Sequence, residues 1–538
     1  MSGLRRLLVA VCVVGGGLLA AAPGAAAAGL NWKPCAFADA GAQCATAHVP
    51  RDYDHPNGDK LDLDVAKSPA TGPGKKIGSL FFNFGGPGAP AAPYVEFNGA
   101  DLFPVLNQRF DIVGMDPRGT DIDLDSENSV YCNTDPETGG FYSMPFTTPF
   151  NLDAGQLIRK DKRYISNCIK NSAPNLLQHA STADVARDLD FMRKAVGDDK
   201  MTYLGFSYGT FLGATYASLF PGKMRAVVLD GALDAKTYIN RPMQGLREQT
   251  SAVERAIGRI WQACASDQAA CSGFGGNDPW LAFDELIDRA DAAPIPAPGY
   301  APDPRPIKGD DLRAAAFSAI YAKQNWGDFT QAVAQADKGD GSAIRKQVDE
   351  NWYGRDETGA YDPINDRYPV LSAVEQKYRK GNVPLYLQAG EDCWSEYDHT
   401  YVNCGYTELF YGLWPIRAQD RFTGPFKVPK SASTPLVVAT TYDPATPYRG
   451  SRKLVRDLGN ARLLTMLGDG HTAYGSGSPD CIDPKIEDYL INRVLPPAGT
   501  KCRQEVPFTA QQEAAAKRAK TRELQIRPHT RPLPRIGR

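Results

Sequence analysis

Six short runs constrain the fold most: Leu80-Phe-Phe-Asn-Phe84, Phe110-Asp-Ile-Val-Gly-Met-Asp116, Met201-Thr-Tyr-Leu204, Arg225-Ala-Val-Val-Leu-Asp230, Pro435-Leu-Val-Val-Ala-Thr440 and Ala461-Arg-Leu-Leu-Thr-Met-Leu467. A strand with one wet face alternates apolar and polar residues. These runs do not alternate strictly, as expected of strands covered on both sides. Helical spacing separates them. Between 183 and 196, Val185, Leu189, Met192 and Val196 fall on one helix face, and 210–219 is a helix rich in small residues. Strand and helix in turn predict an α/β fold with a mainly parallel sheet. The rhythm breaks from about 236 to 430, where helix-like segments (249–264, 280–292 and 309–323) and the Pro/Gly stretch 293–306 take over, and it resumes at Pro435. The expected organisation is an α/β domain whose first part is 29–235, a mainly helical cap insertion at 236–430, and a C-terminal part at 431–505.

Composition narrows the function. With 42% hydrophobic residues, the 538-residue chain can bury a large core, so a disordered or collagenous protein is excluded. A formal net charge of −2 leaves no basic face for nucleic acid. The exception is 506–538, read as a basic Pro/Arg-rich tail. From Lys517 to Arg538 it holds eight Lys/Arg and one Glu, which suits weak attraction to an anionic cell surface.

At the other end, Arg5-Arg6, the apolar run 7–22 and a string of alanines read as a signal peptide over 1–28. The protein is therefore expected outside the cell, with no transmembrane segment. Of eleven Cys, Cys12 falls in that leader, leaving an even ten, which suits disulfides in an oxidising compartment. As sequence neighbours they group as Cys35/Cys44, Cys132/Cys168, Cys264/Cys271, Cys393/Cys404 and Cys481/Cys502, although ten cysteines permit many other connectivities. No Cys-x₂-Cys pair occurs and the six His are scattered, so neither a metal nor another cofactor is expected.

The chemistry lies at the strand ends. Gly205-Phe-Ser-Tyr-Gly209 matches the G-x-S-x-G nucleophile elbow, with a strand before it and a helix after it. A serine hydroxyl needs a base, and the base needs an orienting carboxylate. His471, just past the run ending at Leu467, is the expected general base. Asp443, after the run ending at Thr440, is the expected orienting carboxylate. Asp469 competes for that role but stands only two residues from His471. The oxyanion donors are expected from the backbone N–H of Tyr208 and from the Gly85-Gly86-Pro87-Gly88 loop, Gly86 before Gly85.

With these residues in view, the chain resembles the secreted tripeptidyl aminopeptidase branch of the α/β-hydrolase proline-iminopeptidase family of serine peptidases. The resemblance is carried by Phe84-Gly-Gly-Pro-Gly88, the stretches 110–120 and 203–214, Val228-Leu-Asp-Gly231, Thr441-Tyr-Asp-Pro-Ala-Thr-Pro447 and Gly470-His-Thr472. It implies a Ser207, Asp443, His471 triad and hydrolysis near a free peptide N-terminus, probing peptide or protein N-termini and releasing tripeptides. A proline-iminopeptidase-like peptidase, or a carboxylesterase or lipase with the same triad, is the alternative. Reading a free amine requires carboxylates. Glu391, Asp392 and Glu396, clustered around Cys393, are the expected group, with Glu96 after the oxyanion loop as the other choice.

Overall fold

The computed structural model describes residues 29–36, 41–143, 147–355, 361–362, 364–397, 404–506 and 508. The expected leader and almost all of the expected tail lie outside the described residues. Among the described residues ten strands form one sheet: β1 (Lys33–Pro34), β2 (Gln43–Pro50), β3 (Lys60–Ser68), β4 (Gly78–Asn83), β5 (Phe110–Met115), β6 (Met201–Phe206), β7 (Met224–Asp230), β8 (Leu436–Tyr442), β9 (Arg462–Asp469) and β10 (Lys501–Arg503). Their order is β1-β2-β3-β5-β4-β6-β7-β8-β9-β10. The first three strands join antiparallel, and every pairing from β5 across to β10 is parallel.

Covering on both faces explains the apolar runs. Phe81, Val113, Tyr203, Val227 and Val437 enter one core, while their neighbours Leu80, Ile112, Leu204, Val228 and Val438 enter the core on the opposite face. Each such side chain contributes on the order of 1.5–3 kcal/mol by leaving water, so a polar residue at either position would be costly. The helix Thr182–Ala195 packs on the first face. It is started by a capping box in which the side chains of Ser181 and Asp184 satisfy each other's backbone N–H groups. The helix Ile482–Asn492 sends Ile482, Ile486 and Leu490 into the other face.

One part of the sheet is absent from the sequence reading. β3 alternates Leu61, Leu63 and Val65 inward with Lys60, Asp62 and Asp64 outward, the period-two signature of a strand with one wet face. That signal was present in the sequence but differs from the two-sided runs that define the sheet's centre.

Between β7 and β8 the chain is helical, and it packs in two parts. From the helix Pro242–Ser266 to Tyr353, the apolar residues close on one another around Trp261, Phe283, Phe329 and Trp352. From about 364 to 428, Val370, Val374, Tyr386, Phe410 and Trp414 join the core of the sheet's own face, with Leu157, Tyr164 and Phe211. Five disulfides join Cys35–Cys44, Cys132–Cys168, Cys264–Cys271, Cys393–Cys404 and Cys481–Cys502, the neighbour pairing suggested by the spacing. Among the described residues no helix is long and apolar enough to cross a membrane.

Candidate active site

Ser207 stands between β6 and the helix Tyr208–Leu219 with φ +55°, a strained conformation for a residue bearing a side chain. Its N–H donates to the Asp230 carbonyl of β7 at 3.0 Å. The flanking glycines are required by close approach. A Cβ on Gly205 would lie 2.4 Å from the Gly209 carbonyl oxygen, and one on Gly209 would lie 2.5 Å from that of Asn83. The turn thereby raises Ser207 above the sheet's C-terminal edge into a cavity of about 1780 Å³.

The loop after β4 faces the same cavity. Gly85 donates its N–H to Asn83 Oδ1 at 3.0 Å and packs against Ser207, whereas Gly86 and Pro87 line the cavity beside Tyr208. An N–H already committed to Asn83 is a poor donor for a new anion, so Gly86 is the better placed of the two expected glycines.

His471 follows β9, and its Nδ1 lies 3.0 Å from both carboxylate oxygens of Asp443. Asp443 is fully buried. Its Oδ1 accepts from the N–H groups of Ala445 and Thr446 at 2.9 and 2.8 Å, and its Oδ2 accepts from Thr446 Oγ1 at 2.8 Å. Donors on both oxygens fix the direction of this carboxylate, and it holds the imidazole through Nδ1, so that Nε2 is the nitrogen left over. His471 Nε2 is buried with no hydrogen-bond partner, and the ring lines the cavity that Ser207 also lines. Ser207 and His471 are not bonded to each other, the looser geometry often found without a substrate. Asp469 points elsewhere: its carboxylate receives Arg259 and lies 3.6 Å from Lys323 Nζ.

Sequence reasoning passed over Asp230. It is buried at the end of β7 and accepts from the N–H groups of Ala473 and Tyr474 at 2.8 to 3.1 Å, anchoring the chain just after His471. Burial pushes its carboxyl up to about 6, against the pull of those two N–H groups. The signal was the Val228-Leu-Asp-Gly231 stretch, which carried part of the resemblance but was given no role.

The expected amine readers sit away from the cavity lining. Glu391, Asp392 and Glu396 lie exposed on the helix Val383–Glu396, where Asp392 and Glu396 each stand 3.7 Å from Arg247. Glu96, half-buried on the helix Ala92–Asn98, stands beside the Cys35–Cys44 disulfide. Carboxylates that do line the cavity include Glu248, on the helix Pro242–Ser266. Tyr142, Tyr238, Tyr321, Tyr368, Tyr378 and Tyr411 give it an aromatic wall.

Comparison with known proteins agrees with this architecture. Residues 80–255 match the family described as alpha/beta hydrolase fold, and residues 411–502 match that described as TAP-like protein. Serine protease Hip1 of Mycobacterium tuberculosis is 31% identical over 503 residues, covering 88% of this chain and 91% of that protein. Carboxylesterase B of the same organism is 30% identical over 478 residues, 86% of each. Tripeptidyl aminopeptidase of Streptomyces lividans is 28% identical over 496 residues, covering 88% of this chain and 87% of that protein.

Proposed function

The chain belongs to the α/β-hydrolase family that carries the TAP-like C-terminal region and is a serine hydrolase, and from that premise we propose that it is a secreted exopeptidase releasing short peptides, tripeptides first, from free N-termini. The observation that carries the reading is His471: Nδ1 is seated on buried Asp443 while Nε2 is left unpartnered, on a ring that lines the cavity shared with Ser207 and Gly86.

In the proposed reaction, Ser207 Oγ attacks the scissile carbonyl as His471 Nε2 takes its proton. Asp443 balances the resulting imidazolium through Nδ1–H. The N–H groups of Gly86 and Tyr208 receive the oxyanion. His471 then returns the proton to the departing amine, and a water molecule repeats the sequence in reverse on the acyl-enzyme. The aromatic wall and the size of the cavity suit several acyl-side residues, more than a single amino acid requires. A free α-amine would be read by cap carboxylates. Glu391, Asp392, Glu396 and Glu96 stand off the lining, so the group to test first is Glu248. Five disulfides suit export, which N-terminal sequencing of protein recovered from culture medium would check against cleavage after Ala28.

Ser207→Ala should abolish fluorophosphonate labelling and lower kcat by roughly 10⁴-fold or more, with folding unchanged. Retention of a tenth of the activity would refute the nucleophile. Asp443→Ala should do comparable harm. N-acetylating a good tripeptidyl substrate should cost about 2–4 kcal/mol in kcat/KM, and Glu248→Gln should impair the free-amine substrate far more than the acetylated one. The second reading, an esterase, is favoured by the similarity to carboxylesterase B. Faster turnover of a p-nitrophenyl ester with no turnover of a tripeptidyl amide would establish it.

A further inference from the structure

The turn that bears His471 is held from two sides. On the C-terminal side the sheet domain holds it: Ala473 and Tyr474 donate to Asp230, and Thr440 Oγ1 donates to the Thr472 carbonyl at 3.2 Å. On the N-terminal side the holding groups come mostly from the insertion. His471 N–H donates to the Tyr321 carbonyl at 2.7 Å. Gly470 has φ +93°, and the Tyr321 carbonyl oxygen lies 3.0 Å from where a Cβ would stand, so insertion and turn meet as closely as glycine permits. Asp469, whose side chain is only 4% exposed, takes both Nε and Nη2 of Arg259 from the helix Pro242–Ser266, the second contact at 3.1 Å. The Arg259 guanidinium also lies 3.7 Å over the ring of Tyr442, the residue before Asp443. Gln504, just after β10, closes the turn by accepting from Asp469 N–H and donating to the Asp469 carbonyl, both at 2.9 Å.

We propose that Arg259 and Asp469 are a positioning pair, through which the insertion sets the direction of His471 toward Ser207. A bidentate Arg–carboxylate contact fixes an orientation as well as a distance. Stacking on Tyr442 makes the same guanidinium a common reference for the His471 turn and for the turn that begins at Asp443. Arg259 stands off the cavity lining and Asp469 reaches it with its carboxylate turned to Arg259, so the pair acts through the imidazole. The proposal rests on His471 being the general base, and its test separates the two claims.

His471→Ala examines the underlying reading: if it keeps more than a tenth of wild-type kcat, the base is elsewhere. Given an inactive His471→Ala, active sites in Arg259→Ala and Asp469→Asn are counted by fluorophosphonate labelling, and kcat is expressed per labelled site. A displacement of the base by a fraction of an ångström should lower that kcat about 10–100-fold, with KM changed less than about 3-fold. The double variant should be little worse than either single one, since the two residues act as a unit. Arg259→Lys should recover part of the loss. If Arg259→Ala fails to fold, Asp469→Asn, which preserves shape, carries the test. A kcat per labelled site within about 3-fold of wild type in the folded variants, or a loss explained entirely by fewer labelled sites, would overturn the proposal while leaving the triad untouched.

Discussion

Trp261 and Phe410 are both fully buried aromatic residues between β7 and β8, but they anchor different cores. The ring of Trp261 meets Phe274, Phe283 and Phe329, all from the first half of the insertion. That of Phe410 meets Phe141 and Tyr164 of the sheet domain as well as Tyr411 and Trp414. The first half is thus a helical unit with its own interior. It is attached to the rest by polar contacts such as Arg259–Asp469 and the ion pairs from Glu137 to Arg305 and Arg355, with Tyr142 edge-on to Trp352. The second half is wall. Arg367 packs against Gly88 of the loop after β4, and Glu375 accepts from the N–H of Thr182, whose hydroxyl meets that of Tyr208 at 2.6 Å. Contiguity in sequence does not make the insertion one folding unit. Units of stability follow shared apolar surface, and the first half buries a cluster of its own, with Tyr142, Trp394 and Phe508 packed at its edge.

Emptying the two cores should separate them most clearly. Phe410→Ala should cost about 3–5 kcal/mol and lower the stability of the whole molecule in one transition, read by denaturant unfolding. Trp261→Ala removes a similar side chain, yet its loss should fall on residues 242–353. Hydrogen exchange should show that unit opening, and peptidase activity should disappear at a temperature where the sheet is still folded. Identical single transitions in both variants would dissolve the distinction.

A smaller effect concerns pH. Burial raises the Glu375 carboxyl from 4.5 to about 7, with the Thr182 N–H opposing part of that shift. The fold therefore favours the protonated acid. The stability this contributes is full below about 4.5 and is lost as the pH rises through 7. Glu375→Gln, neutral throughout, should flatten the fall in Tm between pH 4.5 and 7. An unchanged slope would mean that Glu375 does not couple the second half, through Thr182, to Tyr208 in this way. The smallest effect is expected from the basic tail: truncation after Ala516 should leave kcat within about twofold, because a composition so rich in charge and proline offers little apolar surface to a core. Weaker retention of the truncated protein on cells at low salt would be the sign that the tail is drawn to an anionic surface.

Much of this molecule was legible before any coordinates. The doubly covered strands announced themselves as apolar runs, and Gly205-Phe-Ser-Tyr-Gly209 marked the elbow because only small flanking residues allow so sharp a turn. Val506 and Phe508, assigned to the tail, instead reach the cavity lining. The carboxylates expected to read an amine, Glu391, Asp392 and Glu396, cluster in sequence. Clustering says nothing about which way a helix turns its faces, and the face bearing Asp392 and Glu396 looks to Arg247.

By itself, then, the sequence determined the α/β sheet, the serine elbow, and the order in which the candidate acid and base follow it. These depend on local spacing, burial periodicity and backbone strain, all of which are written within a few residues. Tertiary structure alone decided that Glu391, Asp392, Glu396 and Glu96 stand off the cavity lining, that the insertion divides into two packing units, and that Arg259 meets a carboxylate 210 positions away. Such contacts depend on which surfaces close against each other once the core forms, and no short stretch of chain carries that information.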